Sequence, residues 1–184
     1  MQITLFLMFG YPGSGKSSFA RYLSGQRQDI RRVSYDELRE RMWPEGGAKN
    51  TPNYGVRVIN ALDYTTEQLL NAGISVIYDV NNNRRQDREA MMVLAERYQA
   101  RAVVVWVQTP LEIARQREQV RPLIENNRMT SEKYERLVDE MDEPTTPEVF
   151  MVIDGQLSAE RQLQSFGRQL TELLAADDGL RSRA

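Results

Sequence analysis

The segment that most constrains this chain is Phe9–Ala20, FGYPGSGKSSFA, set directly behind the apolar run that starts at Ile3. Gly10, Gly13 and Gly15 give the backbone access to conformations closed to other residues, so the chain bends sharply here. Gly10, Gly15, Lys16 and Ser17 fit the spacing G-x-x-x-x-G-K-[ST]. Each position has a physical task. The glycine-rich turn, with Pro12, Gly13 and Ser14 inside it, points main-chain N–H groups inward as an anion nest. The helix that begins after it adds the positive end of its dipole. Lys16 reaches the β- and γ-phosphates of a nucleotide, and Ser17 offers a hydroxyl to Mg²⁺, with Ser18 following on the same turn. The motif also sits between an expected strand and an expected helix, the context it requires. LSGQR, Leu23–Arg27, looks like a damaged ABC-transporter signature. It follows too soon and lacks a glycine, and it reads as a helix end.

The rest of the chain supplies a frame for that loop. Short apolar runs at Ile3–Phe9, Arg31–Asp36, Ile74–Asp79, Ala102–Val107 and Val149–Asp154 read as strands, most without polar alternation and so buried on both faces. Helical patterns fall between them at Ser17–Leu23, Glu37–Met42, Tyr54–Asn71, Arg84–Gln99, after Pro110, at Ser131–Met141 with Ser131 as N-cap, and at Ser158–Ala175. Alternation of this kind predicts a three-layer α/β sandwich around a five-stranded parallel sheet. With 184 residues the chain is long enough for one sizeable core. The expectation is a single domain over 1–176 and a disordered tail over 177–184. Trp43–Asn53, with two prolines and two glycines, reads as a loop.

Composition removes several chemistries. There is no cysteine and no histidine, so disulfides, thiolate nucleophiles, imidazole bases and Cys- or His-ligated metals are excluded. A general base must be a carboxylate, lysine or tyrosine. The net charge of −2 provides no global field for nucleic acid. No apolar run reaches the roughly 20 residues of a membrane span. The start lacks a basic region and cleavage site, and a cytosolic protein is expected. Of 24 basic residues only Lys16, Lys49 and Lys133 are lysines, which draws attention to Lys16.

No N-K-x-D pattern for guanine is present, and the chain is short for the helical lid of ring-forming ATPases. A small kinase remains, and a kinase needs an oriented acceptor hydroxyl and a group to take its proton. Asp36 closes the second expected strand at the carboxyl edge, where open α/β sheets bind ligands. Arg39 lies three residues on, along the same helical face. The pair can hold a hydroxyl and a neighbouring phosphate, or Asp36 can simply cap the helix. Asp79 ends the third strand like a Walker B carboxylate, suited to Mg²⁺ or substrate. Asn81 reads as a ligand residue, Asn82 and Asn83 as helix caps. Arg115, Arg117, Arg121 and Arg128 crowd the segment after the fourth strand. They can neutralise charge on the transferred phosphoryl group or pair with Glu112, Glu118 and Glu125 on a solvated face. Arg117 and Arg121 are the preferred candidates. Arg39, Arg84, Arg85 and Arg88 form a possible basic patch for a nucleic-acid end.

The ordered set GYPGSGKSSFAR, SYDELRE, AGISVIYDVNNNRRQDR and TPLEIARQREQVR resembles the AAA_33-type P-loop kinases, over about Ile3–Arg128. These include the 5′-hydroxyl polynucleotide kinase domain of RNA-repair enzymes and lie near zeta toxins and chloramphenicol phosphotransferases. The resemblance implies a kinase-type sheet with an arginine-rich lid, ATP and Mg²⁺ as cofactors, and a hydroxyl acceptor, either a polynucleotide 5′ end or a small molecule. It implies that Asp36 is the general base, that Arg39 binds the acceptor phosphate, and that Arg121, more loosely Arg117, is the lid arginine. The alternative is a nucleotide-binding regulatory ATPase without an acceptor. The polynucleotide kinases often carry a partner domain, and none is expected within these 184 residues.

Overall fold

The computed structural model describes residues 2–44, 51–120 and 129–181, with side chains of the last helix described to residue 175. Strands β1 (Thr4–Phe9), β2 (Ile30–Ser34), β3 (Ser75–Asp79), β4 (Arg101–Gln108) and β5 (Phe150–Asp154) form one sheet in the order β2-β3-β1-β4-β5. Every pairing is parallel. Helices α1 (Lys16–Gln26), α2 (Tyr35–Met42), α3 (Tyr54–Asn71), α4 (Arg85–Arg97), α5 (Leu111–Gln119), α6 (Ser131–Asp139) and α7 (Ala159–Arg181) connect them. The fold is the expected three-layer α/β architecture around a five-stranded parallel sheet.

Alternation along β1 divides the core. Phe6 and Met8 face α1 and α7, packing with Phe19, Leu23, Val103, Val105, Met151 and Phe166. Leu5 and Leu7 face the opposite layer, packing with Val58, Leu62 and Leu70 of α3 and Met91 and Leu94 of α4. A strand buried on both faces needs no polar alternation, which is why TLFLMF is continuous. Phe166 is fully buried and meets the Phe6 ring edge-on at 5.3 Å. Its truncation to alanine would cost about 3–5 kcal/mol. Among the described residues no helix is long and apolar enough to cross a membrane.

Several boundaries differ from the sequence reading. β2 ends at Ser34, and Tyr35 and Asp36 already belong to the first turn of α2. Asp36 therefore neither ends a strand nor caps a helix, because the N-cap position is Ser34. Thr130, not Ser131, caps α6, its side chain accepting from the Lys133 N–H at 3.2 Å. The last helix extends beyond Ala175, through Arg181.

Candidate active site

Parallel pairing brings every functional strand end to one edge. Ser34 registers with Asp79, and Leu7 with Tyr78, so the exits of β1, β2 and β3 lie side by side. The loop Gly10–Gly15 leaves β1 there. Its backbone is left-handed at Gly13 (φ 82°) and Gly15 (φ 103°). A Cβ on Gly13 would stand 2.1 Å from the Ala114 carbonyl oxygen, so only glycine fits against α5. Gly15 sits at the N-cap of α1 with no side chain capping the helix. The N-terminal end of α1 thus adds the positive end of its dipole to the loop, as an anion site requires. The Lys16 ammonium donates to the Gly10 carbonyl at 2.7 Å and to the Tyr11 carbonyl at 2.8 Å, lying back along the loop. Pro12 accepts a hydrogen bond through its carbonyl from the Tyr134 hydroxyl of α6 at 3.3 Å. Ser14 is buried, and its carbonyl accepts from the Thr109 hydroxyl at 2.9 Å. Ser18 is exposed on α1.

The two residues expected to serve a metal meet. The Ser17 hydroxyl donates to Asp79 Oδ1 at 3.1 Å. Asp79 is buried, and its Oδ2 accepts from Arg32 Nε at 2.9 Å and Nη2 at 2.6 Å. Arg32 also donates to Glu37 Oε1 at 2.5 Å and Ser34 Oγ at 3.0 Å. Burial works against the Arg32 charge, but the Asp79 and Glu37 carboxylates outweigh it and hold its pKa above the ordinary value. The Arg32 hydrogen bond holds the Glu37 carboxyl below the usual range. A hydroxyl and a carboxylate oxygen side by side are hard donors that fit Mg²⁺. Among the described residues no group of three or more acidic side chains forms a cage.

At the exit of β2, α2 carries Asp36 and Arg39 one turn apart, 3.6 Å between their charged atoms, with the Asp36 side chain half exposed. Tyr35 beside them has its hydroxyl pKa raised, chiefly by burial. From α5, Arg117 Nη1 donates to the Gly155 carbonyl at 3.0 Å, at the exit of β5. Arg115 pairs with Glu135 at 2.9 Å and Glu112 at 3.5 Å and lies over the Tyr134 ring. Burial pushes the Tyr134 hydroxyl up to about 12. Arg121 and Arg128 lie outside the described residues.

The asparagine run divides differently from the expectation. Asn81 is exposed at the strand exit. Asn82 and Asn83 are buried and neither caps α4, whose first N–H, that of Arg85, donates to Asp142 Oδ2 at 3.0 Å. Asn82 donates to the Met8, Tyr78 and Val80 carbonyls. Asn83 Oδ1 accepts the Gly10 N–H at 3.4 Å. These two brace the base of the phosphate loop. Arg88 also departs from the expectation of a basic patch. It is fully buried, donates to the Asn82 and Asn83 carbonyls, and grips Glu148 at 2.7 and 3.0 Å. Arg84 pairs with Glu140 at 2.5 Å and Arg85 with Glu89 at 2.9 Å. Sequence reading does not single out Arg32, Glu148 or Tyr134, and it gives Arg88 and Asn83 other roles, a basic patch and a helix cap. For Arg32 a signal existed, because Ile30, Arg32 and Ser34 share one face of β2.

Fold and site together define a P-loop nucleotide-binding protein with a kinase-like sheet. Residues 5–144 match the AAA_33 model, described as an AAA domain, and the chain belongs to that family. No curated protein matches the chain. Solved structures with the same fold include a sugar kinase from Janibacter sp., 20% identical, covering 93% of this chain and 94% of that one, with a TM-score of 0.65. Kti12 from Chaetomium thermophilum, in complex with ADP-AlF3, is 19% identical over 91% of this chain and 97% of that one, with a TM-score of 0.69. A chain of the Pnkp1/Rnl/Hen1 RNA repair complex is 25% identical over 76% of this chain and 44% of that one, with a TM-score of 0.64.

Proposed function

We propose that the chain is an ATP-dependent phosphotransferase that moves the γ-phosphoryl group of ATP to an acceptor hydroxyl. The observation that carries this reading is the pairing of two constellations on one sheet edge. Ser17 and Asp79 meet at 3.1 Å beside the phosphate loop, and Asp36 and Arg39 meet at 3.6 Å on the neighbouring helix. A loop that binds phosphates would serve any nucleotide protein. A carboxylate and a guanidinium beside it add what an acceptor requires.

In this reading the loop amides and Lys16 bind the β- and γ-phosphates and neutralise charge on them. Ser17 and Asp79 would hold Mg²⁺, which supplies charge neutralisation on the phosphoryl oxygens when bound. Arg39 orients the acceptor through a neighbouring phosphate or oxygen, with Asn81 at the same edge. The Asp36 carboxylate accepts the hydroxyl proton as the acceptor oxygen bonds to the γ-phosphorus and the bond to the bridging oxygen breaks, releasing ADP. Arg117 and Arg121 are proposed to stabilise the charge on the transferring group. The acceptor is a polynucleotide 5′ hydroxyl or a small molecule.

A second reading is a nucleotide-binding regulatory ATPase without an acceptor. The half exposure of Asp36 favours it, since water reaches the same carboxylate. Incubation with γ-labelled ATP and a panel of nucleosides, sugars and 5′-hydroxyl DNA and RNA oligonucleotides separates the two. A labelled acceptor is expected from the kinase, and release of labelled phosphate alone refutes it. Asp36→Asn should lower transfer about 10²–10⁴-fold and leave ATP affinity nearly unchanged.

A further inference from the structure

Arg32 stands where a charge is costly. It lies on β2, an edge strand, yet its side chain turns inward and is 8% exposed. An inward charge on an edge strand can guard against edge-to-edge pairing. A guard would leave its guanidinium in water, whereas Arg32 commits N–H groups from all three nitrogens to protein acceptors. Two of those bonds converge on a single oxygen, Asp79 Oδ2. The other oxygen, Oδ1, faces the Ser17 hydroxyl. The carboxylate is thereby held in one rotation, with one oxygen anchored and one presented. The third arm of the fork reaches Glu37 on α2.

This geometry has a consequence for a metal at Ser17. For the hydroxyl oxygen to turn a lone pair toward a cation, its proton must point to an acceptor. Asp79 Oδ1 is that acceptor, and its position depends on the anchor at Oδ2. We propose that Arg32 is a positioning residue for the metal. By fixing Asp79 it orients the Ser17 hydroxyl, although Arg32 itself touches neither cation nor nucleotide. The inference rests on the nucleotide-and-Mg²⁺ reading of the phosphate loop. Without the fork, Asp79 is a buried carboxylate free to rotate, and the Ser17 proton loses its fixed acceptor. Partners of metal ligands in this outer position matter about tenfold or more in metal affinity.

The test is calorimetric titration of the full chain with ATP, in excess Mg²⁺ and again in EDTA. The proteins are wild type, Arg32→Met, Arg32→Lys and Glu37→Gln, with thermal melts to check folding. In the wild type Mg²⁺ is expected to tighten ATP binding. Arg32→Met should shrink that Mg²⁺-dependent gain about tenfold while binding in EDTA is unchanged. Arg32→Lys, which keeps the charge but not the two-pronged grip, should lose part of the gain and decides the matter if the methionine variant does not fold. Glu37→Gln should keep the gain, because the Asp79 contacts remain. Full retention of the gain in both Arg32 variants overturns the inference. So does equal loss with and without Mg²⁺, which is the mark of a merely structural residue. A wild type that binds ATP with no Mg²⁺ gain overturns it as well and leaves nucleotide binding standing. A wild type that binds no ATP at all overturns the functional reading and the inference together.

Discussion

The buried pair Arg88–Glu148 makes the sharpest stability prediction. Arg88 is fully buried and the Glu148 side chain is 3% exposed. The guanidinium donates twice to the carboxylate, twice to the backbone carbonyls of Asn82 and Asn83, and lies 5.1 Å from the Phe9 ring centroid. Glu148→Gln removes the negative charge and replaces one accepting oxygen with a donor that faces another donor. A guanidinium then remains in the core without a counter-charge. Breaking a buried pair from one side costs about 3–5 kcal/mol. At this chain length each kcal/mol shifts Tm by roughly 2–4 °C, so a fall of about 6–20 °C is expected. Urea unfolding followed by circular dichroism gives the same quantity from the midpoint at unchanged slope. The pair also predicts a pH dependence. Burial pushes the Glu148 carboxyl up, but the Arg88 bonds and charge more than reverse this and hold it below the usual range. Its stabilisation is therefore present above the unfolded carboxylate value of about 4.3 and is lost as pH falls through the lower folded value. Glu148→Gln should flatten that part of the stability curve. The double variant Arg88→Met with Glu148→Met removes the orphaned charge and should be more stable than Glu148→Gln alone. A single variant costing under about 1 kcal/mol, the scale of an exposed pair, would refute the reasoning. So would a double variant whose loss equals the sum of the single losses.

Other perturbations test separate parts of the structure. Gly13→Ala places a Cβ 2.1 Å from the Ala114 oxygen at a left-handed φ. A left-handed non-glycine residue alone costs about 1–2 kcal/mol, and titration with ATP should show weakened binding beyond any change in Tm. Asp63 has its carboxyl raised, mainly by burial, against the lowering effect of the Tyr78 hydroxyl bond at 2.6 Å. Its contribution to stability is present below the unfolded value of about 3.9 and is lost as pH rises through the raised folded value. Asp63→Asn should therefore make the chain no less stable at pH 7 by urea unfolding, and a clear loss there would contradict the assignment. Tyr134→Phe removes the bond to the Pro12 carbonyl. It should cost about 0.5–1.5 kcal/mol in urea unfolding.

What was readable in the chain follows from the range of each interaction. Local rules suffice for the loop at Gly10–Ser17, since the glycines and the helix start lie within one short segment. The strands were readable because a doubly buried strand announces itself by continuous apolar character, as TLFLMF and SVIYD do. The pairing of Ser17 with Asp79 joins residues 62 positions apart, and only the parallel register makes it visible. Where the sequence reading went astray, a long-range partner had taken over a local role. Asn82 and Asn83 precede a helix and read as caps by propensity. Yet the Met8 carbonyl and the Gly10 amide, more than 70 residues upstream, engage their side chains instead. Arg88 stands near the start of the amphipathic helix α4, in line with Met91 and Ala95, yet its residue type reads as surface charge. Its burial depends on Glu148, 60 residues later, which no helical periodicity encodes. Arg32 combines both cases. Its place on the inner face of β2 follows from alternation, but its meaning depends on a carboxylate 47 residues away. The phosphate loop is thus a local invention of the sequence, whereas the groups that hold it in working shape are assembled by the sheet.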